Sequence, residues 1–136
     1  MSPEEKRMRT ITGHQINECN QAITIEADEP DPKNGNASHV YDVYVCNINP
    51  NKIEEAAYTR TVIEFQHGPI KEVGTNGLTH EVLLAILIDR VEGFQSGPYA
   101  CEENTLALEA LKAAQAAFHS RTKKRVERGV EGTNAV

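Results

Sequence analysis

Cations crowd the C-terminal part of this 136-residue chain. Five of its 14 basic residues fall within positions 121–128, where Glu127 is the single acid. Four of the five would share one face of a helix: Arg121, Lys124, Arg125 and Arg128. Guanidinium groups bind phosphate oxygens in a planar fork, so this face can hold a phosphorylated ligand. The same charges also suit a helix C-terminus and a solvated surface, and both interpretations stay open.

A loop of the sequence offers a second anion site. Residues 72–79 read Glu-Val-Gly-Thr-Asn-Gly-Leu-Thr and lead into an apolar stretch that predicts a helix. Such a loop directs backbone N–H groups and the positive end of the helix dipole outward, where they attract phosphate. It lacks the Gly-Lys-Ser/Thr of a P-loop. A tight turn followed by a Thr79 cap explains the same residues without any ligand.

Aromatic rings stand beside two Gly-Pro turns. The pattern Phe-Gln-x-Gly-Pro occurs at residues 65–69 and 94–98, and Tyr99 follows the second copy. A ring at the end of an element can stack on a purine base. The alternative is that Phe65 and Phe94 close the ends of a small core.

Metal and nucleophile motifs are weak in this sequence. His80-Glu81 opens like the helix of a zinc hydrolase, but Leu84 stands where the second histidine would be. The other histidines show no ligand spacing, and Cys101 falls on a predicted core stripe as a packed thiol. We therefore predict no catalytic residue, no metal and no cofactor. The protein would bind a charged small ligand without transforming it.

Composition limits the classes of partner. A net charge of −6 argues against a nucleic-acid polymer, whereas a local basic patch suits a compact anion. The longest apolar run, Val82–Ile88, is far shorter than the roughly 20 residues of a membrane span. Met1–Arg7 is charged and predicts no signal peptide. Three widely spaced cysteines fit reduced thiols in a cytoplasm, and the scarcity of large side chains favours a homo-oligomer.

The first half predicts an antiparallel sheet. Four short stretches are rich in strand-forming residues: 9–12, 22–26, 40–45 and 60–65. Asp28–Asn36, with its Pro, Asn and Gly residues, predicts a long polar loop. Residues 47–57 predict a second loop, or a helical turn around Ile53–Ala56.

The second half predicts two antiparallel helices. The first begins after Thr79 and runs to about Phe94, and Gly97-Pro98 breaks the chain and opens the second. One stripe of the second helix would face the first: Cys101, Leu108, Leu111, Gln115, Phe118 and Thr122. The fold class is therefore α+β, an N-terminal antiparallel sheet followed by a C-terminal helical hairpin. We predict one domain over residues 1–136, mainly β at 1–75, helical at 78–129 and a flexible tail at 130–136.

Several motifs occur in a set order along the chain: Gly13-His14-Gln15-x-Asn17-x-Cys19-Asn20, Phe65-Gln66-x-Gly68-Pro69, Gly74-x-Asn76-Gly77-x-Thr79-x-Glu81, Asp89-Arg90-Val91-x-x-Phe94-Gln95, and Arg121-Thr122 through Arg128-Gly129-Val130-Glu131-Gly132-Thr133. Together they resemble the type 1 Thoeris anti-defence family of bacteriophages, over roughly residues 9–133. Members of that family sequester, without cleaving them, the cyclic ADP-ribose isomers that bacterial TIR enzymes make as alarm signals. They form dimers that assemble into hexamers in the cytoplasm of the infected host. Some also hold cyclic di- or trinucleotides of CBASS defence at separate sites, and the hairpin is shared with an anti-CBASS sponge family.

The resemblance implies a role for each candidate ligand-binding residue. Phe65 would stack on adenine, with Gln66 beside it. Asn76 and the loop from Gly74 to Thr79 would bind ribose or phosphate, and Arg90 would meet the pyrophosphate near a subunit interface. The remaining candidates would serve a second, cyclic-nucleotide pocket between dimers: Arg121, Lys124, Arg125 and Arg128. Two alternatives stay open, a nucleotide-processing enzyme that uses His80, Glu81 and Arg90, and a phage adaptor protein without a small ligand.

Overall fold

The computed structural model describes residues 8–136, and its contacts divide the chain into two compact units. One unit extends to His67 and contains the sheet, and the other begins at Gly68 and contains the α-helices. The segment Met1–Arg7, predicted not to be a signal peptide, lies outside the described residues. The α+β class, with an antiparallel sheet before the helices, is confirmed.

The sheet has four strands in sequence order, each antiparallel to the next. The strands are β1 (Arg9–Ile11), β2 (Ile23–Ala27), β3 (Val40–Asn49) and β4 (Lys52–Glu64). A polar loop joins β2 to β3, as predicted, and contains a short 3-10 helix at Pro32–Asn34.

The prediction of a loop or helical turn at residues 47–57 is wrong. This segment is the tip of the β3–β4 hairpin, in which Asn47 pairs with Ala57 and Asn49 with Lys52. Glu and Ala are poor strand formers, which is why Glu54–Ala57 did not indicate a strand. Pairing with the long β3 overrides that local preference, because ladder hydrogen bonds satisfy the backbone along the whole hairpin.

The second unit contains three helices, α1 (Ile70–Val73), α2 (His80–Gln95) and α3 (Glu102–Glu127). The bounds of α2 agree with the sequence, although the Thr79 side chain makes no capping hydrogen bond. α3 starts at Glu102, later than the predicted start at Gly97-Pro98. The side-chain amide of Gln95 makes hydrogen bonds with the residues around this start. Its oxygen accepts from the backbone N–H of Cys101 at 3.0 Å, and its nitrogen donates to the Thr105 hydroxyl at 2.8 Å. Cys101 is therefore an exposed residue at the start of the helix, not a packed thiol.

The helices pack along the predicted stripe, but loosely. Five residues of the α3 stripe are half-buried: Leu108, Leu111, Gln115, Phe118 and Thr122. Among the described residues only Ala27 and Ile88 are buried hydrophobic residues. Within residues 8–136, no helix combines the length and the hydropathy that crossing a membrane would require.

Candidate functional site

One end of the helical hairpin gathers most of the candidate ligand-binding residues. The ring of His80, the first residue of α2, lies 4.7 Å from the ring of Phe118 near the end of α3. The loop that leads into α2 therefore shares one end of the hairpin with the basic residues 121–128. Toward the opposite end, Gln95 donates to the Thr105 hydroxyl, and Lys112 and Glu92 form an exposed ion pair of 3.6 Å. We call the first of these ends the cationic end.

The loop at the cationic end begins at a residue that requires glycine. Gly74 ends α1, donating its N–H to the carbonyl of Ile70 at 2.8 Å, and has φ 77° and ψ −176°. That conformation is strained for any L side chain, so the loop can turn sharply only with glycine there. The loop then enters α2 at Thr79, where the positive end of the helix dipole lies. Asn76 stands in the middle of this loop.

The four predicted cations divide into two pairs. Arg121 and Lys124 are exposed on α3, one turn apart, where they can meet a ligand. Arg125 is buried, and Arg128 donates to the carbonyl of Val136 at 2.7 Å. Lys123 and Arg128 are exposed as well, but Arg128 is bonded to the C-terminal segment, so Arg121 and Lys124 are the predicted cations that lie open to a ligand.

Arg125 holds the C-terminal segment with its whole guanidinium group. It donates to the Glu131 carboxylate at 3.1 Å and to three backbone carbonyls at 2.7–3.0 Å: Val130, Thr133 and Ala135. Residues 130–136, for which the sequence predicts a flexible tail, fold back against α3 through these bonds. The carbonyl of Gly132 also accepts from the N–H of Lys71, so that the segment connects α3 with α1.

Arg90 lies in a different part of the hairpin, beside aromatic rings. Its guanidinium carbon is 5.0 Å from the centre of the Phe94 ring, and that ring contacts Tyr99 edge-on at 6.2 Å. Tyr99 is 74% exposed. Eleven residues separate Arg90 from Thr79, about 16 Å along the helix. One chain therefore does not bring Arg90 to the cationic end.

Phe65 and Gln66 belong to the sheet unit, directly after β4. The Phe65 ring is half-buried and meets Tyr41 edge-on at 5.6 Å. The Gln66 backbone carbonyl lies 3.1 Å from Nδ1 of His39. Phe65 thus packs on the sheet and still keeps part of its ring in solvent.

Known proteins share part of this hairpin. The family model of the Acb2/Tad1 hairpin domain matches residues 57–123, which contain most of β4, α1, α2 and most of α3. A relative from Bacillus phage SBSphiJ7, named Thoeris anti-defense 1, is 38% identical over 82 residues. The chain is therefore similar to a phage anti-defence protein, and the similarity includes the helical hairpin. The aligned part is 60% of the chain, and it spans 58% of the length of that relative.

The sheet unit also has a cluster that sequence reasoning missed. Asp31, His39 and His67 each offer one ligand atom within 4.8 Å of the other two. Asp31 and His39 lie outside the matched hairpin domain, in the loop before β3 and at its end. The spacing of these three residues along the sequence does not indicate a cluster. They meet because Val40 pairs with Glu64, which brings the end of β4 to the start of β3.

The carboxylate of this cluster is held in its ionised form. The pKa of Asp31 is lowered well below its ordinary value, first by the Asn34 side chain, which donates to it at 2.8 Å. His67, with Nε2 at 2.7 Å, and the N–H of Lys33, at 3.0 Å, lower the pKa further. Hydrogen bonds to the charged form favour that form.

Proposed function

We propose that this protein serves bacteriophage in anti-defence by binding and sequestering cyclic ADP-ribose isomers, the signals of TIR enzymes, without cleaving them. The observation that carries the proposal is the shared hairpin domain and the similarity to a phage protein named Thoeris anti-defense 1. The site of action would be the cytoplasm of the infected host.

The charge distribution of the hairpin supports an anionic small ligand. Arg121 and Lys124 are exposed at the cationic end, beside the loop that enters the N-terminus of α2. The pyrophosphate of the isomer can accept hydrogen bonds from backbone N–H groups of the loop, and the phosphates of a cyclic oligonucleotide can accept charge-assisted hydrogen bonds from the two cations. A compact dianion gains more from this concentrated charge than an extended polymer does, since the chain as a whole carries −6.

The exposed apolar surface supports binding between copies of the chain. Three large residues of α2, Val82, Ile86 and Leu87, are 41–58% exposed. Since Arg90 stands about 16 Å from Thr79 along one helix, a ligand that meets both must lie between two chains. We therefore propose a homo-oligomer, a dimer or a hexamer assembled from dimers, whose interfaces exclude water and strengthen the phosphate contacts. Cyclic di- or trinucleotides would occupy a second pocket that involves Arg121 and Lys124.

The residues of the enzyme alternative, His80 and Arg90, lie far apart along α2. The His80 ring contacts Phe118 at one end of the hairpin, whereas Arg90 contacts Phe94 about 15 Å along the same helix. A general base and an electrophilic cation must reach the same few atoms of a substrate. Within one chain this pair does not, so an enzyme of this kind would have to build its site from two chains. An adaptor protein without a small ligand needs no cationic end of this kind.

Calorimetric titration with a cyclic ADP-ribose isomer tests the proposal. The wild-type chain should bind with an affinity that falls as salt is added, because charge pairs are screened. Combined Arg121→Gln and Lys124→Gln substitutions should weaken binding of a cyclic oligonucleotide at least about tenfold. Lys112→Gln, which removes an exposed cation of the same helix outside the cationic end, is the matched control. Absence of heat with both ligand classes would favour the adaptor.

A further inference from the structure

The side chains buried in the sheet unit are mainly polar. Ser38, His39 and Asp42 are each less than 9% exposed, and Ala27 is the one buried hydrophobic residue of the described part of that unit. Buried polar side chains are informative, because each one removed from water needs a partner. The Ser38 hydroxyl donates to the carbonyl of Asp28 at 2.6 Å, and the Asp42 carboxylate accepts from the Arg60 guanidinium group at 2.7 Å. His39 is different.

The imidazole of His39 has one satisfied and one unsatisfied nitrogen. Nδ1 lies 3.1 Å from the Gln66 carbonyl, which can only accept, so Nδ1 carries the hydrogen. In the neutral ring, Nε2 then holds a lone pair. This atom is buried, and the described residues give it no hydrogen-bond partner. A histidine held through one nitrogen by a backbone carbonyl, with the other free, has the arrangement of a metal ligand.

His67 and Asp31 lie beside His39 and complete a set of three ligand residues. The His67 ring stacks on the His39 ring, with centroids 4.2 Å apart and planes 9° apart. Nε2 of His67 lies 2.7 Å from the Asp31 carboxylate. Ligand atoms of all three residues fall within 4.8 Å of one another.

Separate elements hold the three residues in place. Asp31 caps the 3-10 helix at Pro32–Asn34, receiving the N–H of Lys33. His39 is fixed at the start of β3, where its N–H donates to the Asp28 carboxylate at 2.9 Å. Its carbonyl accepts from the N–H of Phe65 at 2.7 Å, which brings the segment after β4 alongside. The cluster is therefore a product of the sheet and not of one flexible loop.

We propose that Asp31, His39 and His67 form a binding site for a divalent transition-metal ion, with Zn²⁺ the ion that fits best. Two imidazoles and one carboxylate are a donor set of zinc sites with three protein ligands, which leave a fourth position for water or another ligand. Zn²⁺ holds its ligands at about 2.0–2.2 Å, which puts tetrahedral ligand atoms about 3.4 Å from one another. The Asp31–His67 pair at 2.7 Å must therefore open slightly, and the wider separations must close by at most about 1.4 Å. The His67 ring must also turn out of its stack on His39, because a bound metal lies in the plane of each imidazole. His67, whose side chain is 51% exposed, has the freedom to make that movement. Bound metal would tie the β2–β3 loop to the end of the β3–β4 hairpin.

Titration of the full-length, metal-free protein with ZnCl₂ tests this site, after its three cysteines have been blocked by alkylation. We expect one Zn²⁺ per chain by calorimetry, a rise in the melting temperature, and perturbed imidazole resonances of His39 and His67 in NMR spectra. MgCl₂ should produce none of these changes, because Mg²⁺ prefers oxygen ligands.

Three variants separate the cluster from adventitious binding. His67→Gln and Asp31→Asn should each weaken Zn²⁺ binding at least about tenfold, with unchanged far-ultraviolet circular dichroism. Both side chains reach solvent, so the fold should survive either change. His119→Gln, which alters an exposed histidine of α3, should bind like the wild type. Equal binding by all variants, or no binding by the wild type at micromolar metal, would show that the cluster is only a hydrogen-bonded His–Asp pair.

Discussion

The rings of His80 and Phe118 lie 4.7 Å apart, with their planes tilted by 45°. His80 is the first residue of α2, and Phe118 stands nine residues before the end of α3. This contact fixes the alignment of the two helices. It thereby sets the loop that enters α2 beside the exposed Arg121 and Lys124.

Removing the His80 ring should loosen that alignment. His80→Ala should lower the free energy of unfolding by about 0.5–1.5 kcal/mol, the usual contribution of an aromatic pair. Urea denaturation followed by circular dichroism measures the change. His119→Ala, at an exposed position of α3, should change it by less than about 0.5 kcal/mol. Equal stability of the two variants would contradict a role for the ring contact.

Substitution of Arg125 should lower stability, whereas substitution of Arg121 should weaken ligand binding. Arg125→Gln removes a buried guanidinium group that makes bonds to four acceptors, and should cost about 2 kcal/mol or more of stability. Hydrogen exchange of residues 130–136 should increase at the same time. Arg121→Gln should leave stability within about 0.5 kcal/mol and weaken the binding of ligand. The reverse result, with a stable Arg125 variant and a destabilised Arg121 variant, would overturn the division of the cationic end into two pairs.

Substitution of Arg90 tests its proposed contact with the pyrophosphate of the ligand. Arg90→Ala should weaken binding of a cyclic ADP-ribose isomer by about 2 kcal/mol or more if a desolvated charge pair is lost. The loss of its contact with Phe94 should cost only about 0.5–1 kcal/mol of stability, because the pair is exposed. Calorimetry on Arg90→Ala and Arg90→Lys separates charge from geometry. Unchanged affinity in both variants would remove Arg90 from the site.

Acid stability should depend on Asp31. Its pKa is lowered in the folded protein, so it stabilises the fold above its ordinary value of 3.8 and loses that effect as the pH falls below it. The melting temperature of the wild type should thus fall more steeply between about pH 4 and pH 2 than that of Asp31→Asn. Thermal scans across this range of pH, in metal-free buffer, make the comparison. Parallel curves would show that the Asn34 and His67 contacts do not stabilise the charged carboxylate.

Local patterns in the sequence are sufficient for the helices. The apolar run Val82–Ile88 marks α2, and the 3–4 spacing of Leu108 and Phe118 marks the packed stripe of α3. Each signal is a property of neighbouring residues on one helix, so no tertiary information is needed. The tip of the β3–β4 hairpin at residues 47–57 was not predictable in this way, because these residues become strands only by pairing across the turn.

The sites depend more heavily on the fold. His39 and His67 are 28 positions apart, and only the antiparallel pairing of β3 with β4 places their rings 4.2 Å from each other. Arg125 resembles its basic neighbours in sequence, yet it is buried because residues 130–136 fold back over it. Residue type and spacing thus indicated a cationic surface, while the choice of exposed cations required the three-dimensional arrangement.

The most direct test of sequestration is the recovery of the ligand itself. Purified protein is incubated with a cyclic ADP-ribose isomer, passed over a size-exclusion column to remove free ligand, and then denatured by heat. Mass spectrometry of the released small molecules should show the isomer intact and in stoichiometric proportion to the protein. Cleaved product in the released fraction, or no ligand retained on the column, would contradict a protein that captures this signal without transforming it.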